Sequence, residues 1–105
     1  MNKKIVDGKV GVILSYGYGL GFSTYNDGIK DLEFEPTLIE MITAKRSENE
    51  IAKYLEETYP DEQWDYVDIE ELAVEWLDWG TKFIIESNDG AEYLVLEENM
   101  KWKVA

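Results

Sequence analysis

Residues 10–26 read V-G-V-I-L-S-Y-G-Y-G-L-G-F-S-T-Y-N, and the fold turns on how this stretch is read. Its first half is β-branched and apolar, which favours a strand. With a period of two, Val10, Val12 and Leu14 share one face while Gly11, Ile13 and Ser15 share the other. Gly17, Gly19 and Gly21 follow at every second position, interleaved with Tyr16, Tyr18 and Leu20. Glycine weakens a strand through its backbone entropy, so this spacing needs a cause. Either the chain bends sharply into a hairpin, or a ligand or another backbone comes very close. On the hairpin reading, Phe22 to Tyr25 return as a second strand, closed by the turn signal Asn26-Asp27-Gly28.

Upstream of the stretch, residues from Lys4 are strand material too, with Asp7-Gly8 as a turn. Downstream, Pro36 suits a first helical turn, and Leu38, Ile39 and Ile42 repeat at helical spacing as far as Ala44. Ser47 to Glu50, S-E-N-E, is a capping box that opens a second helix ending before Pro60. Residues 61–68 have no clear period and read as a connection, with one helical turn at Asp68 to Glu71. Strands are then expected from Leu72, from Thr81 to Glu86 and from Ala91 to Glu97, with Gly80 breaking the first pair. Asn88-Asp89-Gly90 is a strong hairpin signal between the last two. Met100 to Val104 is a candidate last strand. The order predicts one α+β domain over residues 1–105, with a mainly antiparallel sheet and two helices covering one face.

Composition narrows the function classes. A 105-residue chain that is 45% hydrophobic, with four Trp, seven Tyr and three Phe, is expected to fold around a single core. There is no apolar run long enough for a transmembrane helix, and Lys3-Lys4-Ile5-Val6-Asp7 does not resemble a secretory leader. The absence of cysteine excludes disulfides and thiolate metal sites. The absence of histidine removes the commonest general base, so catalysis is not expected and no cofactor is assigned. A net charge of −13 disfavours direct nucleic-acid binding, which calls for a basic footprint. Most of the acid lies between Glu48 and Glu98, where 17 carboxylates face only Lys53 and Lys82. Acidity of this kind keeps a protein soluble.

The residues S-Y-G-Y-G-L-G-F-S-T-Y-N resemble a motif of small bacteriophage proteins, usually a strand followed by G-Y-G-A-G-W-S-T-W-N. The likeness continues through F-E-P-T-L-I-E-M-I at Phe34 to Ile42, L-A-V-E-W-L-D-W-G-T-K-F-I-I at Leu72 to Ile85, and N-D-G-A-E-Y at Asn88 to Tyr93. Departures are Leu20 for alanine, Phe22 and Tyr25 for tryptophans, and Asp78-Trp79 where proline is common. The resemblance implies a phage protein acting in the cytoplasm of an infected bacterium. It further suggests overlap with the anti-CBASS sponges that sequester cyclic nucleotide signals of bacterial immunity.

On that expectation the ligand-binding residues are Tyr16, Gly17, Tyr18, Gly19, Gly21, Phe22, Ser23, Thr24, Tyr25, Asn26 and Trp79. Glycine-rich backbone can bring amides to phosphate oxygens, aromatic faces can stack on bases, and Ser23, Thr24 and Asn26 can meet base edges or ribose. The familiar phosphate-loop fingerprints do not apply, since no G-x-x-x-x-G-K-[ST] occurs and no helix pattern follows the glycines. The competing reading of the same stretch is a curved hairpin whose aromatics pack under the helices. Trp76, alternating with Val74 and Leu72, reads as core, whereas Trp79 beside Gly80 reads as rim or interface. A homo-oligomer with shared pockets is expected. The alternative function is an acidic inhibitor of a basic host protein, with Asp61 to Glu71 as the place where charge mimicry would concentrate.

Overall fold

The computed structural model describes residues 2–17, 21–62, 64–65 and 67–97. Strand β1 (Ile5–Val6) and strand β2 (Lys9–Ser15) form a tight hairpin in which Val6 pairs with Lys9. Its two turn residues, Asp7 and Gly8, both have positive φ, at 51° and 76°. That is the turn geometry whose twist matches two antiparallel strands, and it is why Asp-Gly stands there. The same solution recurs at Asp89-Gly90 between β4 (Phe83–Asn88) and β5 (Ala91–Leu96).

Strand β3 (Leu72–Asp78) lies antiparallel to the whole of β2, from Lys9 opposite Asp78 to Ser15 opposite Leu72. The α+β class with antiparallel strands therefore holds. Its strands are divided between a three-stranded sheet, β1-β2-β3, and the β4-β5 ribbon. Helix α1 (Pro36–Thr43) packs on β2 and β3, and helix α2 (Glu48–Thr58) packs on α1 and on the 3₁₀ turn Ile69–Glu71 that precedes β3. Proline begins α1 and the expected capping box opens α2, with Ser47 Oγ accepting from the Glu50 amide at 3.2 Å.

Ile13 from β2 joins Leu38, Ile39, Ile51, Leu55 and Leu72 in the core beneath the helices. Burying each of these side chains contributes about 1.5–3 kcal/mol. Trp76, read as core, packs against this cluster but is only half-buried. Val10, Val12 and Leu14 are buried on the opposite face. That side is covered by the β4-β5 ribbon and the 3₁₀ turn Leu32–Phe34, both of which pack on β2.

One expected element does not form. Phe22 to Tyr25 make a turn, with the Asn26 amide and Asn26 Nδ2 both donating to Phe22 O at 3.0 Å. The reason lies at the edge of β2 where a returning strand would pair. There the Gly11 amide donates to Lys4 O at 3.0 Å and the Ser15 amide to Glu92 Oε1 at 2.8 Å. Two of the backbone donors that a hairpin partner would have used are thus already satisfied. The candidate strand Met100 to Val104 lies outside the described residues.

Candidate functional site

The glycine-aromatic stretch is organised around a carboxylate from elsewhere in the chain. Glu92 is the second residue of β5, 2% exposed, and it faces inward. Its Oε1 accepts from the Ser15 amide, and its Oε2 accepts from the Thr24 amide at 3.0 Å and from Thr24 Oγ1 at 2.6 Å. The loop amides expected to cradle a phosphate at these positions are thus filled by an internal anion. Gly21 is required by this contact, because a β-carbon there would overlap Thr24 Oγ1 and lie 2.9 Å from Glu92 Oε2. Gly21→Ala should therefore loosen the latch, read as faster hydrogen exchange at Ser15 and Thr24; unchanged exchange at both amides would refute the contact.

Other residues of the stretch go in different directions. Phe22 is fully buried, its ring 6.1 Å from that of Trp64 and tilted by 37°. Expected to stack on a ligand, it packs in the core, because Trp64 and Tyr59 supply an apolar partner surface. Asn26, 2% exposed, spends its amide on the turn, so it too is interior. Gly17 is buried against Asp68 and Glu71, and Tyr16 extends over β3, where its hydroxyl donates to Glu75. Tyr25 is exposed, and Ser23 and Thr24 are half-buried. Tyr18 and Gly19 lie outside the described residues. The stretch Asp61 to Glu71 is likewise divided, since Trp64 and Ile69 are core residues while most of its acids face solvent.

Two clefts meet on the ribbon side of the molecule. The first, about 280 Å³, is bounded by Val10, Val12, Phe34, Trp79 and Phe83, with Lys3 at its rim. Lys3 Nζ stands 5.0 Å from the centre of the Phe34 ring and 5.5 Å from that of Trp79. Trp79 is 62% exposed, with the Lys3 ammonium over its ring. The second cleft, about 610 Å³, is lined by Ser23, Thr24, Lys30, Glu33 and again by Phe34 and Phe83. Phe34 and Phe83 meet edge to face, 6.0 Å apart at 78°, and form the wall common to both. Of the residues singled out in the sequence, the structure brings Ser23, Thr24 and Trp79 to this composite groove.

Phe34, Phe83 and Glu92 were not singled out. A signal existed for Glu92 alone: it shares its strand face with Leu94 and Leu96, and a lone acid on an apolar stripe needs internal donors. Phe34 and Phe83 meet only through the fold.

Burial raises the Glu33 carboxyl above its ordinary range, and the charges of Asp31 and Glu92 add to this. Burial also pushes the Tyr16 hydroxyl up to about 12, helped by its bond to Glu75. Tyr54 and Tyr59, both donors to the buried Glu35 that caps α1, are raised by burial and then by that carboxylate. A phenol whose folded pKa exceeds its unfolded value keeps a proton that the unfolded chain releases. Stability should therefore be full below about pH 10 and fall as pH rises towards about 12. Melting temperatures across this range should show that fall, and Tyr16→Phe should lessen it.

No family model, curated protein or solved structure matches the chain. Among the described residues, no group of three or more carboxylates is placed to hold a metal ion, and no helix is long and apolar enough to cross a membrane.

Proposed function

We propose that this is a non-catalytic binding protein for a planar, negatively charged small molecule of the nucleotide class. In keeping with the phage-type motif, its role would be to sequester a cyclic nucleotide immune signal in the cytoplasm of an infected bacterium, as a homo-oligomer. The observation that carries the reading is the largely exposed Trp79 with the Lys3 ammonium over its ring and over that of Phe34. A base stacks on such a ring, and the ammonium partners the phosphate. This relocates the ligand from the glycine loop to the groove that the loop borders through Ser23 and Thr24.

Calorimetry against cyclic mono- and dinucleotides tests it. Binding should be reversible, the ligand should be recovered intact on denaturation, and Trp79→Ala should weaken affinity by about 5- to 150-fold, the worth of one stacked base. Since the indole is largely exposed, the same change should alter stability by no more than about 0.5 kcal/mol. Absence of heat with every cyclic nucleotide would sink the proposal.

A second reading rests on the acidic face beside α2. Glu48 and Glu70 line one surface there together with Lys45 and Arg46, and the nearness of Glu70, then of Asp68, holds the Glu48 carboxyl above its ordinary range. Such a surface suits a basic host protein. Recovery of one basic protein from host lysate, lost on Glu48→Lys with Glu70→Lys and kept on Trp79→Ala, would favour it.

A further inference from the structure

The second cleft differs in chemistry from the one beside Trp79, and the two abut across the Phe34–Phe83 pair. Around the second, Asp27, Asp31 and Glu33 outnumber Lys30. None of these three acids belongs to an ion pair among the described residues, where the pairs are Lys4–Glu40, Lys9–Asp78, Arg46–Glu50 and Lys53–Glu57. A phosphate would be repelled from this end. An ionised carboxylate is an acceptor only, so the cleft favours groups that present N–H donors. Its floor supplies apolar and aromatic surface from Phe34, Phe83 and Ile85, which suits a flat heterocycle. Glu33 is half-buried there, where a pair of converging N–H groups would replace lost water. Thr24 is held at the border by Glu92, which gives the cleft one rigid polar wall.

We infer that the ligand runs across the Phe34–Phe83 wall and that its far end is a guanine-type base, whose adjacent ring N–H and amino group are read by the Glu33 carboxylate. This rests on the nucleotide reading above and adds base selectivity to it. Two planar ends joined by phosphates then have distinct berths: one stacked at Trp79 near Lys3, the other donor-matched at Glu33.

The test compares cyclic di-GMP with cyclic di-AMP, which carry the same charge, by calorimetry on the wild type, Glu33→Gln and Trp79→Ala. Cyclic di-GMP should bind at least about tenfold more tightly, as expected where a site built for donors meets a ligand lacking them. Glu33→Gln should remove that preference, leaving cyclic di-AMP affinity within about twofold, since glutamine offers one acceptor and presents N–H groups to the base donors. This variant should fold, because it removes a desolvated carboxyl held above its ordinary range. Equal affinity for the two ligands, weakened alike by Trp79→Ala, would overturn the guanine berth while sparing the stacking site. Spermidine binding that Glu33→Gln abolishes, with no base preference, would also overturn it and make the cleft a cation site. No heat with either dinucleotide or any other cyclic nucleotide would bring down both readings together.

Discussion

Glu92→Ala is expected to cost about 3–5 kcal/mol of stability, a large share of the 5–15 kcal/mol typical of a small domain. The carboxylate is almost fully buried and accepts from two backbone amides and one hydroxyl, at the end of β2 and in the turn after Gly21. Truncation leaves the buried Ser15 amide and the half-buried Thr24 amide and hydroxyl without their acceptor, and each buried unsatisfied group costs about 1–3 kcal/mol. Urea denaturation should show a lower midpoint, and the melting temperature should drop by at least about 12 °C. Glu92→Gln should be milder, because its carbonyl still accepts on one side while its amino group confronts a donor on the other. A loss below about 1 kcal/mol for the alanine variant would mean that the carboxylate is not the keystone of this region.

Phe22→Ala is expected to destabilise by about 3–5 kcal/mol, the usual consequence of removing a buried aromatic ring. The ring is fully buried and touches Trp64, which in turn packs edge to face on Tyr59 and donates from Nε1 to Tyr59 O at 3.1 Å. A cavity opened here separates the turn after Gly21 from the loop that carries Trp64. A double-mutant cycle with Trp64→Leu should return a coupling of about 0.5–1.5 kcal/mol from the ring pair. The contrasting outcome is sharp. If Phe22 were a ligand platform, its loss would weaken cyclic nucleotide binding and leave the denaturation midpoint in place.

Local elements were legible because local chemistry dictates them. Asp7-Gly8 and Asp89-Gly90 adopt the positive-φ pairs that those dipeptides favour, and each fixes the register of a hairpin. Pro36 and the Ser47–Glu50 box start the two helices, and the stop before Pro60 ends the second one at Thr58. Harder to read was the glycine stretch. Its spacing signalled close approach, correctly at Gly17 and Gly21, but could not say to what. Besides Thr24, three residues on from Gly21, the approaching groups are side chains of Asp68, Glu71 and Glu92, far along the chain. Equally, the aromatic character of Phe22 gave no sign of whether the ring would face a pocket or the core; that depended on where Trp64 came to rest.

By itself, then, the amino-acid sequence determined the α+β class, the antiparallel hairpins and the helix boundaries, all of which follow from residue-level propensities and period. Tertiary structure alone decided that β3 takes the other side of β2, with a glutamate closing the edge beyond β1 near Ser15. It alone set Lys3, Phe34, Phe83 and Trp79 around one groove. The physical reason is that long-range partners are chosen by burial and by the need to satisfy every buried donor, and neither quantity exists until the chain has packed.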